Sequence, residues 1–334
     1  MSLDSLQKTV ANPLYYAGET GPSQSDSDIQ PKTTRKIGLL VGDEWSFPPA
    51  FIEEVNKRNV HVQAEFVSLG GTYITQKSPY TLLLDRISHH VAYYRSFLAH
   101  AQRQGSYVLN EQAQQGANDR FVAASVAAML DIPTPRAVVL PMRAYSDEIS
   151  AESLRNLEYP LDWAAIAKYV GFPAILKPVD ATVSLGSNDV AFVLNSVEEL
   201  LFVYNQTGQQ CMMLQQAIAG QQVRCICIGR EGDGPRPDGA AMILPMVYDA
   251  ARNRSLPDDS FLTSDFRTLI TEQAQALHHA LGHDLNCVTF VVSNERAIII
   301  DATNPIPDLD INHLTPRYFQ QVVKALADFC IGII

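Results

Sequence analysis

The stretch of this chain that most plainly carries chemistry is Gly171-Phe-Pro-Ala-Ile-Leu-Lys177-Pro. A lysine inside a short, otherwise apolar strand is costly unless its charge is used. Alternate residues of a strand share a face, so Ile175 and Lys177 point the same way. One wall then offers an apolar surface for a base and an ammonium for a phosphate. The small, polar segment 180–188 follows directly, and its backbone N–H groups and hydroxyls suit a loop that covers phosphates. Composition leaves a second reading open, in which Lys177 is an edge-strand lysine facing solvent.

Two further stretches add to this. In Met212-Met-Leu-Gln215-Gln216-Ala217-Ile218-Ala-Gly220 a strand runs into a glycine-bounded turn. Main-chain donors and acceptors there suit the edge of an adenine; an ordinary strand end fits the same residues. In Ala297-Ile-Ile-Ile-Asp301-Ala-Thr-Asn304-Pro-Ile-Pro an aspartate ends an apolar strand and an amide follows closely. That pattern suits Mg²⁺, which takes one or two carboxylates with phosphate oxygens and water. An Asx turn at the strand end fits it equally.

Strands and helices must position these groups. Apolar runs predict strands at 36–41, 62–69, 80–87 and 107–110, with helices at about 48–58 and 89–103. This alternation favours a small parallel α/β unit. Ligands of such sheets sit at the carboxyl ends of strands, where Arg86 and Asn110 lie. Further on, an Ala-rich helix is expected at 119–130, strands at 136–140 and 174–178, and a helix at 162–169. Ser196 and Glu199 form a capping box that opens another helix. Strands at 211–216, 223–229, 241–247, 287–292 and 297–302 come with helices at 264–281 and 316–329. Fewer crossover helices among these strands predict an α+β second half.

The bulk composition narrows the class. The 334 residues imply two or three domains, and 46% hydrophobic with 18% charged residues fits an enzyme with a large core. A net charge of −11 disfavours general binding to nucleic acid or anionic membranes. Any anion must therefore be held by a few focused basic groups. No apolar run reaches the ~18 residues of a membrane span, and the start MSLDSLQKTV has no signal pattern. Five cysteines without a CxxC are expected as reduced, buried thiols of a cytoplasmic protein. Cys225 and Cys227 are assigned to core packing. His279 and His283, spaced i,i+4, are assigned to the surface at a helix end rather than to a metal. Gly229–Gly234 is expected as a hairpin loop.

Lys177 in GFPAILKP, the LQQAIAG segment, Arg224 in the next strand and the terminal acid-to-asparagine strand occur in one order. That ordered set resembles the ATP-grasp superfamily, in particular the group of glutathione synthetase and the ribosomal-protein glutamate ligases. LLLDRISHH and the helix after it look like the pre-ATP-grasp domain, and NDRFVAASVAAMLDIPTPRAVVL looks like the opening of the ATP-binding region. The resemblance spans about 37–330. The Ser-, Thr-, Gln-, Asp-, Gly- and Pro-rich composition before it predicts a flexible tail (1–35). The resemblance implies a pre-ATP-grasp α/β domain (36–112) and a two-lobed ATP-grasp fold. Its first lobe would be 113–210, and its second, with the metal site, 211–334.

The resemblance also implies roles. Lys177 and Arg120 would hold phosphates, with Ser184 and Gly186 in the covering loop. Ile175, Gln215 and the backbone of Gln216, Ala217 and Ile218 would hold adenine, and Gln222 would meet the ribose. Arg224 would stabilise charge on the transferred phosphoryl group or the carboxylate, and Asp301 and Asn304 would bind Mg²⁺. Arg86, Ser88, Arg252 and Arg254 would face the substrate, a small-molecule or peptide carboxylate. The implied activity is an ATP- and Mg²⁺-dependent carboxylate–amine (or carboxylate–thiol) ligase acting through an acylphosphate. A homodimer is compatible with it. Two departures stand out. Thr289 occupies the place, twelve residues before Asp301, where an acid is expected, and Asn304 lies three rather than two residues after Asp301. They motivate the alternative of a catalytically degenerate nucleotide-binding protein; a phosphotransferase on a small anionic metabolite is a further alternative, since the same lobes can support kinase chemistry.

Overall fold

The computed structural model describes residues 34–334, apart from 59, 112, 183–190, 231, 237–238 and 295. The expected tail falls outside the described residues up to position 33, and the first strand opens at Arg35. Three sheets follow in sequence.

Strands β1 (Arg35–Leu40), β2 (Val62–Phe66), β3 (Leu82–Asp85) and β4 (Tyr107–Val108) form a parallel sheet in the order β2-β1-β3-β4. Ile37, Leu39, Leu82, Leu83 and Leu84 are fully or almost fully buried. Continuous apolar runs such as these are what a sheet covered on both faces requires. Helix α1 (Phe47–Asn56) buries Phe47, Phe51 and Val55, one stripe at helical spacing. Helix α2 (Ala92–Arg103) buries Phe97, Leu98 and Ala101. It starts three residues later than the sequence predicts, because His90 and Val91 donate to Ile87 and Ser88 in a turn. The strand expected over 80–87 also stops early. The Asp85 carboxylate accepts from the N–H groups of Ile87 and Ser88 and turns the chain there.

The second sheet contains β5 (Ala137–Leu140), β6 (Ala174–Pro178), β7 (Phe192–Leu194) and β8 (Met212–Gln216), antiparallel in the order β5-β8-β6-β7. Helices α4 (Trp163–Val170) and α5 (Val197–Tyr204) supply Val170, Leu200 and Tyr204 to its core; α3 (Arg120–Met129) precedes β5 and packs elsewhere. Ser196 caps α5 by accepting from Glu199 N, while the Glu199 carboxylate accepts from Asn195 N.

The third sheet is antiparallel, ordered β11-β10-β9-β12-β13. Its strands are β9 (Gln221–Ile228), β10 (Met242–Asp249), β11 (Arg254–Ser255), β12 (Leu285–Ser293) and β13 (Arg296–Asp301). Strand β9 sorts its side chains by parity. Val223, Cys225 and Cys227 pack with α6 (Ser264–Leu281) and with Ala123 and Ala127 of α3. On the opposite face, Ile226 and Ile228 join a core with α1 and α7 (Pro316–Ile333). Helix α7 buries nine side chains and contacts both α1 and β9. At roughly 1.5–3 kcal/mol for each large apolar side chain, this burial is a main attachment of the parallel sheet to the third sheet.

Two buried carboxylates fasten the same junction. Asp310 accepts from the N–H groups of Trp45, Ser46 and Phe47 at 3.0–3.1 Å and from the Ser46 hydroxyl at 2.8 Å. It therefore neutralises the orphan donors at the start of α1 from a distant loop. Burial alone would raise its pKa, but these donors, led by Phe47 N–H, hold it below the ordinary value. Asp284, fully buried, accepts from the Tyr107 hydroxyl and Asn110 N–H, each at 2.7 Å, and pairs with Arg230. Asn110 returns the contact by accepting from Asp284 N and Leu285 N.

Asp310→Ala is expected to cost about 2–3 kcal/mol of stability, since charged acceptors of buried N–H groups are worth that much. Urea denaturation at neutral pH measures it, and an unchanged midpoint would refute the fastening role. His278 and His283 set a second expectation. Burial lowers them to about 4 and about 3 respectively, so both are neutral in the folded chain. Below about pH 6.5 the unfolded chain takes up these protons and the folded chain does not, so stability falls as pH falls towards 4 at about 1.4 kcal/mol per pH unit per histidine. Urea midpoints between pH 7.5 and 5 are expected to drop with that sign, and the His278→Gln/His283→Gln double variant is expected to flatten the slope.

Candidate functional site

Strand β6 is interior, between β8 and β7. That removes the edge-strand reading of Lys177. Ile175 and Lys177 lie on the partly open face of β6, opposite Gln215 and Met213 in register, while Ala174, Leu176 and Pro178 are buried on the other. The Lys177 ammonium leaves its own sheet, donates to Ile300 O at 2.9 Å and stands 3.8 Å from the Asp301 carboxylate.

Arg120 reaches the same carboxylate. Asp119 caps α3 by accepting from the N–H groups of Phe121 and Val122, which sets Arg120 at the first helical position. Its Nε lies 3.3 Å from Asp301 Oδ2, and its guanidinium donates to Pro178 O and Asp180 O. Two cations from different elements thus share one carboxylate, with side chains only 11–12% exposed. The other oxygen, Asp301 Oδ1, is buried and has no hydrogen-bond partner among the described residues.

The third sheet places the remaining groups in one row. Arg224 of β9 is paired with Thr289 of β12, and Thr289 with Asp301 of β13. Directly opposed residues share a face. The register slips by one residue between Thr289 and Phe290, so β13 carries an extra residue just before Asp301. Arg224 lies flat on Tyr248, its guanidinium carbon 3.6 Å from the ring centroid, and its buried Nε has no hydrogen-bond partner among the described residues. A small cavity opens beside it, lined by Met246, Cys287, Pro307, Asp308 and His313 among others. A larger cavity lies under the 68–80 loop against α2, away from every charged group of this cluster. The convergence of charge, not the size of a hole, marks the site.

At the β8–β9 turn, Gln216 N donates to Arg136 O and Ala217 N to Pro173 O. Of the main-chain donors expected to meet adenine, these two are thus committed to the protein. Gly220 closes the turn, where a Cβ would lie 2.3 Å from Val292 O. Only glycine lets the turn press so closely on β12. Gln222 is half-buried on the same face of β9 as Arg224. Ser184 and Gly186 lie outside the described residues.

Asn304 Oδ1 accepts from Ile306 N at 3.2 Å, an Asx turn, so this amide oxygen is already engaged. Arg86 is 5% exposed and gives its guanidinium to Glu44 and to Pro307 O. Ser88 is buried and donates its hydroxyl to Asp85. Both were expected to face a substrate; here Arg86 ties the first sheet to the 305–310 loop, and Ser88 closes the turn after β3. Arg252 and Arg254 are exposed, Arg252 pairing with Asp249 at 2.8 Å. His283 departs from the expected surface position: it is fully buried, with Nε2 3.1 Å from Asn118 Oδ1. Among the described residues no group of three or more His, Cys, Asp or Glu side chains is set to hold a metal, and no helix is long and apolar enough to cross a membrane. Tyr248 under Arg224 has no short-range signature, because that contact needs β10 folded beside β9.

No protein-family model matches the chain. Over 145 residues it is 25% identical to a D-alanine–D-alanine ligase of Polynucleobacter asymbioticus, covering 41% of this chain and 42% of that one. The chain thus matches less than half the length of that curated relative. Solved structures align far more extensively. A RimK domain ATP-grasp protein of Sphaerobacter thermophilus gives a TM-score of 0.58 at 19% identity over 89% of this chain and 100% of that one. A D-alanine–D-alanine ligase of Bacillus anthracis, complexed with ATP, gives 0.58 at 13% identity over 89% and 95%. An N5-carboxyaminoimidazole synthase of Aspergillus clavatus, in complex with ADP, gives 0.53 at 12% identity over 80% and 69%. With a parallel α/β sheet followed by two antiparallel sheets that meet at Lys177 and Asp301, this chain has the ATP-grasp fold.

Proposed function

We propose that this protein is an ATP- and Mg²⁺-dependent ligase that joins a carboxylate to an amine or thiol. One observation carries the reading: Lys177 and Arg120, from separate elements, converge on Asp301 at 3.8 and 3.3 Å. A pair of buried cations around one carboxylate is a poor structural bargain unless a polyanion also enters. The neighbours complexed with ATP or ADP support the choice of polyanion. In this reading residues 36–112, 113–210 and 211–334 act as the pre-ATP-grasp domain and the two ATP-grasp lobes.

Adenine would lie against Ile175 and Gln215, reading the Gln216 carbonyl and the Ile218 main chain, with Gln222 towards the ribose. Lys177 and Arg120 would turn from Asp301 to the phosphates. Asp301 Oδ1, a hard oxygen left without a donor, fits Mg²⁺; when bound, the ion neutralises phosphate charge. The Asn304 amide is a weaker candidate while it accepts from Ile306 N. A carboxylate oxygen of the substrate would bond to the γ-phosphorus as the bond to ADP breaks. A neutral amine would then attack the acyl carbon, expel phosphate and lose a proton. Arg224, held flat by Tyr248 beside the small cavity, would stabilise the negative charge that develops in both steps.

ADP release from Mg²⁺-ATP with a panel of carboxylates and amines tests the reading. Lys177→Ala is expected to lower kcat/KM about 10²–10³-fold, the scale of losing one preorganised charge. Failure of every substrate pair to release ADP, together with an absence of nucleotide binding in calorimetry, would reject the proposal. A stable phosphorylated product without a new amide or thioester bond would favour the phosphotransferase alternative.

A further inference from the structure

The row Arg224–Thr289–Asp301 says how many cations the site accommodates. A divalent metal needs hard anionic oxygens. Along this row the chain offers one carboxylate, Asp301, then a neutral hydroxyl at Thr289, then a guanidinium at Arg224. Asp301 Oδ1, buried and without a hydrogen-bond partner among the described residues, is the oxygen this carboxylate presents to a metal. A second divalent ion beside Thr289 would find no further carboxylate in this row to hold it and would stand next to Arg224.

We propose that the site binds one divalent cation per chain, held by Asp301 together with the nucleotide phosphates, and that the Arg120 guanidinium supplies the neutralisation a second cation would otherwise give. This rests on the nucleotide reading above. The planar guanidinium suits the role, since it can face two phosphate oxygens at once.

Equilibrium dialysis of the full chain with Mn²⁺ and a non-hydrolysable ATP analogue measures bound metal and bound nucleotide separately. The expected ratio is one Mn²⁺ per bound nucleotide, with Asp301→Asn losing the metal. Arg120→Gln is expected to weaken nucleotide binding at least tenfold with the ratio unchanged. Thr289→Asp is expected to admit a second Mn²⁺, seen as a ratio of two and as spin-coupled lines in the electron paramagnetic resonance spectrum. Thr289 is buried, so that variant can fail to fold, and the wild-type ratio then decides alone. Two Mn²⁺ per nucleotide in the wild type, or nucleotide bound with no Mn²⁺, would overturn the inference and leave the nucleotide reading intact. No bound nucleotide would overturn both.

Discussion

The Asp301 carboxylate is the point on which the site depends. Arg120 and Lys177 repel each other, and in a partly buried location that repulsion is poorly screened. They remain close because one carboxylate lies between them and because main-chain carbonyls of Pro178, Asp180 and Ile300 accept from them. The arrangement also ties β6 to the end of β13, so the second and third sheets meet through charge rather than through an apolar core. A junction of that kind can open to a ligand of matching charge, whereas an apolar one would resist it. A chain with a net charge of −11 thereby holds a local positive cluster.

The other junction is built differently. Helix α7 inserts its apolar face between α1 and β9, and buried carboxylates at Asp284 and Asp310 collect main-chain donors across the boundary. Each of those carboxylates is satisfied by several donors, which is the condition for a buried charge to be tolerated. Arg86 with Glu44 completes the set. The parallel sheet is thus fixed to the third sheet by burial and by hydrogen bonds to buried carboxylates. Gly220 holds the β8–β9 turn against β12.

Arg224 shows how the third sheet prepares a reactive position. Its neighbours in the row, Thr289 and Met246, are both neutral, the Tyr248 ring two residues along β10 lies against the guanidinium, and the Nε has no hydrogen-bond partner among the described residues. A cation lying flat on a ring with an unpartnered buried N–H is oriented without being neutralised. That is the state in which it can respond to charge arriving from a substrate.

Local pattern alone determined much of the secondary structure. The apolar run around Lys177, the strand ending at Asp301, the Ser196 cap and the helix over 264–281 all sit where periodicity and capping chemistry put them, because these signals act over a few residues. The same residues, taken in order, were enough to suggest the fold. Tertiary structure alone decided what the side chains do. Lys177 is interior rather than on an edge because β8 and β7 flank β6; Arg86 and Asn110, placed at strand ends as a ligand site would have them, are spent on loops far away in sequence; and His283 is buried. Ion pairing and burial depend on which faces meet across the chain, and no short-range pattern carries that information.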